Sequence, residues 1–141
     1  MQSVVAKRYA DAVAGHEVTL FKSDRPDIPD GGQQRDFVYV RDVVDVMLWL
    51  LDHPHVNGLF NVGSGQARSF ADLMRALFAA VGRNDNIRYI DMPAVLKGKY
   101  QYFTEAPLAR LRAAGYARPM TSLEDGVGDY VRRYLAADRY R

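Results

Sequence analysis

Cysteine is absent from the 141 residues, which excludes a disulfide framework, a thiolate metal site and a cysteine nucleophile. A long hydrophobic run is also missing. Even an uninterrupted apolar stretch such as Val46–Leu51 falls far short of a membrane span. The N-terminus shows no charged region leading into an apolar core, so no signal peptide is expected. Charge of one sign is scarce: 19 basic against 17 acidic residues leave +2, too little for a nucleic-acid footprint. What the chain does have is 48% apolar and 26% charged residues, the balance of a folded globular domain. The expectation is a soluble, cytoplasmic α/β domain with neither nucleic acid nor membrane as partner.

Local patterns place the elements. Val4, Val5, Tyr9, Ala12 and Val13 recur at helical spacing, with Gly15 as the stop, and Val18 to Phe21 reads as a strand. Residues 23–34 hold two prolines, two glycines and three aspartates and read as a loop, with a hairpin turn possible at Asp30-Gly31. Asp36 to Val40 reads as a strand, followed by a helix to about Asp52 with Asp42 as its N-cap. Over residues 43–51 of that helix only Asp45 is polar. A helix apolar all round is buried on several sides, so this one expects a partner that the chain does not contain. Leu59 to Val62 reads as a strand, Ser69 as the cap of a helix running to Gly82, and Ile87 to Ile90 as a strand. Helices near Glu105–Ala114 and from Ser122 to about Ala137 complete the order. Strand and helix alternate as in the βαβαβ pattern of a parallel sheet, so the fold class is α/β.

Few residues announce chemistry. Gly63-Ser-Gly65 follows a strand and precedes a helix, but position 68 is Arg where a dinucleotide fingerprint needs its third glycine. It reads as a tight turn rather than a self-sufficient phosphate cradle. Of the three histidines, His53 and His55 flank a proline at a helix end, and no carboxylate spacing completes a metal site with any of them. Arg132, Arg133, Arg139 and Arg141 fit a solvated face and a helix C-terminus. Arg35, between a flexible loop and a strand, either grips a phosphate at a cleft edge or pairs with Asp36 or another carboxylate. The segment Lys97-Gly-Lys-Tyr-Gln-Tyr102 either lines a pocket or is a surface loop anchored by its tyrosines.

Taken together, Arg35-Asp-Phe-Val-Tyr-Val-Arg-Asp42, Phe60-Asn-Val-Gly-Ser-Gly65 and Ser69-Phe70 resemble the C-terminal part of extended short-chain dehydrogenases that modify nucleotide sugars. Met1-Gln-Ser-Val-Val5, Leu96–Thr104 and Leu111-Arg-Ala-Ala-Gly-Tyr116 are similar to the ADP-L-glycero-D-manno-heptose 6-epimerase family of lipopolysaccharide core biosynthesis. The likeness extends over nearly the whole chain. It implies an isomerase that inverts C6 of ADP-heptose by transient NADP-dependent oxidation. Such chemistry needs a nicotinamide and a Tyr with Lys four residues on. None of the nine tyrosines here has one. No catalytic, cofactor-binding or metal residue is therefore assigned. The NADP is expected to be bound by an N-terminal Rossmann half that this chain lacks, Met1 coinciding with an internal position of the family's enzymes.

By that resemblance, residues 1–40 and 67–141 belong to the substrate domain, and 41–66 supply a helix and strand completing the dinucleotide-binding sheet. The substrate positions it implies are Phe21, Lys22, Ser23, Asp24, Arg35 and Tyr100. Arg35 would meet the ADP diphosphate, Phe21 would lie near the adenosine, and Tyr100 would face the sugar or phosphate. Lys7 stands where the family often has His, Ser23 where it has Gly, and Arg25–Gly32 is an insertion rich in proline and aspartate. Partners implied are the ADP-heptose substrate and either further copies of the chain or the missing half. Another nucleotide-sugar epimerase or dehydratase, or a non-catalytic chain that self-associates or binds a partner, remain alternatives.

Overall fold

Ser3 caps the first helix, its hydroxyl accepting the Ala6 amide at 3.1 Å. Helix α1 (Val4–Ala14) ends where Gly15 turns left-handed at φ 72° and donates back to the last turn. The computed structural model describes residues 3–137; Met1, Gln2, Arg139 and Arg141, used in the reading of the sequence, lie outside the described residues. Strand β1 (Val18–Phe21) pairs in parallel with β4 (Ile87–Ile90), Phe21 opposite Ile90. Strand β2 (Gln34–Asp36) pairs antiparallel with β3 (Ala67–Ser69), Arg35 opposite Arg68. The fold is α/β, built on two small sheets rather than on the alternating parallel sheet expected. No hairpin joins β1 to β2, although Gly31 does turn at φ 70° and donates to the Phe21 carbonyl.

Two expected strands are corrected. The segment read as a strand from Asp36 to Val40 pairs only at its first residue, and Leu59 to Val62 forms no strand. A strand persists only against a ladder neighbour, and neither residues 37–40 nor residues 59–62 find one among the described residues. Helix α2 (Val40–Asp52) begins earlier than read, and Asp42 is not its N-cap but lies within its first turn. The Asp42 carboxylate is buried and accepts the Thr121 amide at 2.8 Å and hydroxyl at 2.6 Å, binding α2 to the segment that leads into the last helix. The N-cap position falls to Tyr39, whose hydroxyl donates to Asp129 at 2.5 Å. Partial burial, with the Asp129 carboxylate beside it, pushes the Tyr39 phenol up to about 12.

Helix α3 (Phe70–Ala80) sits at the centre of the main core. Its capping box, Ser69 with Asp72, sets the start, and its 3.6-residue period buries Leu73, Met74, Leu77 and Phe78. Val5, Val18, Leu20, Val127 and Val131 pack around them. Helix α4 (Ala109–Ala113) starts later than expected. Pro107 disfavours helical geometry in Ala106, whose amide serves Asp36 instead. Helix α5 (Leu123–Tyr130) is capped by Ser122 and runs on as a π-helical turn over Val131–Leu135, short of the Ala137 end expected. A second small core gathers Val46, Leu111 and Tyr116 beneath Trp49. The other side of α2 is bare: Met47 is 60% and Leu51 75% exposed, with Val44 and Leu48 also in solvent. That is the unpartnered apolar face its composition foreshadows.

Candidate functional site

Because β1 and β4 run parallel, their C-terminal ends lie together, and the Lys22 amide extends the ladder to the Ile90 carbonyl at 2.8 Å. The loops leaving those two ends touch, the Gly98 amide donating to the Asp24 carboxylate at 3.3 Å, at the edge where α/β folds present loops to ligands. Gln33, 2% exposed, holds the near loop by donating its side-chain amide to the Lys22 carbonyl at 3.2 Å.

Arg35 enters this region from β2. Neighbouring residues on a strand point to opposite faces, so Arg35 and Asp36 part company there. The alternative of an Arg35–Asp36 pair is thereby removed. The Arg35 guanidinium lies 5.4 Å from the Tyr100 ring centre and 5.7 Å from that of Phe70, and donates to the Gln34 carbonyl at 2.7 Å. No carboxylate forms an ion pair with it among the described residues. By contrast Arg68, opposite it on β3, is spent on Glu124 at 2.7 Å and on Asp72 at 3.4 Å. Phe21 meets Tyr100 edge to face at 6.2 Å. A half-buried cation flanked by rings with no carboxylate partner is suited to an anionic ligand carrying a flat group.

Of the six substrate positions expected, Phe21, Arg35 and Tyr100 come together. The other three engage groups of the loops. Lys22 pairs with Asp91 at 2.9 Å, and that hydrogen-bonded carboxylate raises the ammonium above its ordinary value. The Ser23 amide donates to Asp30 and its hydroxyl to the Arg25 carbonyl. Asp24 is bound by Tyr102. Phe70, Tyr102 and Gln33 were missed. Phe70 entered the reading of the sequence as part of the Ser69-Phe70 motif and Tyr102 as the end of the Lys97–Tyr102 segment, neither with a site role of its own.

The glycine turn has a different role. Asp36 accepts the Ser64 amide and hydroxyl, both at 2.6 Å, the Gly65 amide at 3.1 Å and the Ala106 amide at 2.9 Å. Partial burial pushes its carboxyl up, but the Ser64 hydroxyl and the three amides outweigh this and hold it below the ordinary aspartate value. A Cβ on Gly63 would overlap the Asp36 carboxylate and the Ala106 methyl, so close packing demands glycine there. With its amides already committed, the turn does not fit a dinucleotide's phosphates, and no other glycine-rich strand-to-helix turn is present among the described residues. A cavity of about 790 Å³ has neither Arg35 nor Tyr100 in its wall. It is walled chiefly by apolar groups, among them Val5, Val40, Leu73 and Val127, and offers no cation to a phosphate.

Comparison with known proteins agrees with this architecture. Residues 1–63 match the NAD dependent epimerase/dehydratase family. An ADP-L-glycero-D-manno-heptose-6-epimerase of Nitratidesulfovibrio vulgaris is 56% identical over 137 residues, covering 97% of this chain and 42% of that protein. The crystal structure of the Helicobacter pylori ADP-L-glycero-D-manno-heptose-6-epimerase superposes with a TM-score of 0.71 at 29% identity, over 94% of this chain and 37% of its own. The Thermus thermophilus UDP-glucose 4-epimerase, solved in complex with NAD, gives 0.67 at 25% identity, over 97% and 40%. The chain thus spans about two-fifths of the length of the relatives it matches. With identity this high along nearly its entire length, the chain belongs to the NAD dependent epimerase/dehydratase family.

Proposed function

We propose that the chain is the substrate-binding part of an epimerase converting ADP-D-glycero-D-manno-heptose to ADP-L-glycero-D-manno-heptose by transient NADP-dependent oxidation at C6. The observation that carries this reading is Arg35, held between Tyr100 and Phe70 with no carboxylate partner among the described residues, beside Phe21. The 56% identity to an enzyme of that name supports the choice of sugar nucleotide. Arg35 holds the diphosphate, Phe21 borders the adenosine, Tyr100 faces the sugar or phosphate, and Lys22, Ser23 and Asp24 shape the loop around them. Residues 1–40 and 67–141 form the substrate portion. Residues 41–66 complete a dinucleotide-binding sheet whose main part, and whose NADP, belong to a segment outside this chain. Without that segment the chain has no Tyr-x-x-x-Lys pair and catalyses nothing. The cytoplasm, where ADP-sugars and NADP are found, is the place of action.

Titration with ADP tests this. The chain should bind ADP, and Arg35→Ala should weaken binding by about 1.5–3 kcal/mol, roughly ten- to a hundredfold. Unchanged affinity would return Arg35 to a packing role, and a wild-type chain that binds no ADP would overturn the reading.

The bare α2 face is the contact for a second protein body, either another copy of the chain or the dinucleotide-binding segment of the longer relatives. Sedimentation of the chain alone should show concentration-dependent association, abolished by Met47→Glu with Leu51→Glu. A monomer at every concentration would exclude the second copy.

A further inference from the structure

One side chain, that of Tyr102, joins the two loops. Tyr102 donates its hydroxyl proton to the Asp24 carboxylate, and the same oxygen accepts the Asp24 amide at 2.9 Å. The other Asp24 oxygen accepts the Gly98 amide at 3.3 Å, while Arg25 lies 5.4 Å from the centre of the Tyr102 ring. The Tyr102 carbonyl in turn accepts the Gln34 amide at 2.8 Å, anchoring the residue beside Arg35. Its ring meets that of Tyr100 edge to face at 6.0 Å. Tyr102 therefore stands between the cation and rings on one side and the backbone of residues 22–25 on the other. A further tie between these loops, Lys22 with Asp91, is an exposed ion pair of little worth.

We propose that Tyr102 is a positioning residue that sets base selectivity at the nucleotide site, an inference that rests on the reading given under Proposed function. A flat ring such as Phe21 accepts any base, whereas a base is told from another by polar groups meeting its edge. The polar backbone next to Phe21 is that of residues 22–25, and Tyr102 holds it in place through Asp24 and Arg25. Arg35 is fixed without the Tyr102 hydroxyl, by the β2–β3 ladder and by Phe70. The two contributions are consequently separable.

Tyr102→Phe in the 141-residue chain removes only the hydroxyl and keeps the ring contacts. Amide exchange followed by NMR should quicken at Asp24 and Gly98, with the melting temperature preserved. ADP affinity should fall about fivefold, the loss of one ordinary hydrogen bond. UDP affinity should hold, so the preference for ADP falls by the same factor. Arg35→Ala should weaken both nucleotides alike. If Tyr102→Phe leaves ADP binding unchanged, or weakens ADP and UDP equally, the selectivity role is overturned while the nucleotide site stands. If the wild-type chain binds neither nucleotide, the site itself falls, and this role with it.

Discussion

Replacing Asp36 by Ala should lower the unfolding free energy by about 3 kcal/mol at neutral pH. The carboxylate receives the Ser64 amide and hydroxyl and the amides of Gly65 and Ala106, from segments 28 to 70 residues away in sequence. It therefore joins β2, the glycine turn and the approach to α4 in one bond cluster, and Ala would leave its partly buried donors without an acceptor. Asn, which keeps a carbonyl oxygen, should cost about half as much. The effect depends on pH in a definite direction. Since the folded carboxyl titrates below its ordinary 3.8, its contribution is complete above that value and is lost as pH falls through the lower folded pKa. Urea unfolding at pH 7 and at pH 2.5 should thus show the difference between wild type and Asp36→Ala shrinking in acid. A constant difference would mean that the carboxylate's charge is immaterial.

Phe78→Ala should be costlier still, about 4 kcal/mol, a large part of the 5–15 kcal/mol that holds a typical domain together. Phe78 is 1% exposed at the heart of the α3 core, where truncation leaves a cavity that packed neighbours fill poorly. The first residue of the same helix, Phe70, flanks Arg35, so loosening α3 should also weaken ADP binding. Leu59→Ser is the control: at 82% exposure that leucine has little to lose, and its substitution should fall within about 0.5 kcal/mol. Thermal melts and ADP titrations of the three proteins separate core from surface. A stable Phe78→Ala would contradict the placement of the core in α3.

Elements whose signals lie within one turn of chain were legible directly. The helical spacing ending at Gly15, the cap Ser69, and Ser122 with Asp125 marked α1, α3 and α5, because such signals act within a turn or two of chain. The apolar pattern of Val18–Phe21 and Ile87–Ile90 marked β1 and β4, though not that they pair in parallel. The misreadings arose where the partner is remote. Asp42 looks like a cap because Thr121, which claims its carboxylate, is 79 residues on. Leu59 to Val62 has strand composition but no ladder to join.

The candidate site divides the same way. The amino-acid sequence by itself determined the α/β class, the lack of a Tyr-x-x-x-Lys pair, the excess apolar surface of α2 and the candidacy of Arg35 and Tyr100. Only the tertiary structure decided that Arg35 is separated from Asp36, that the glycine turn's amides serve that aspartate, and that Tyr102 ties the two loops together. The physical reason is range. Helix caps and apolar periods act between neighbours along the chain, whereas the choice of partner for a carboxylate or a guanidinium is made in space, among groups that folding alone brings within about 3 Å.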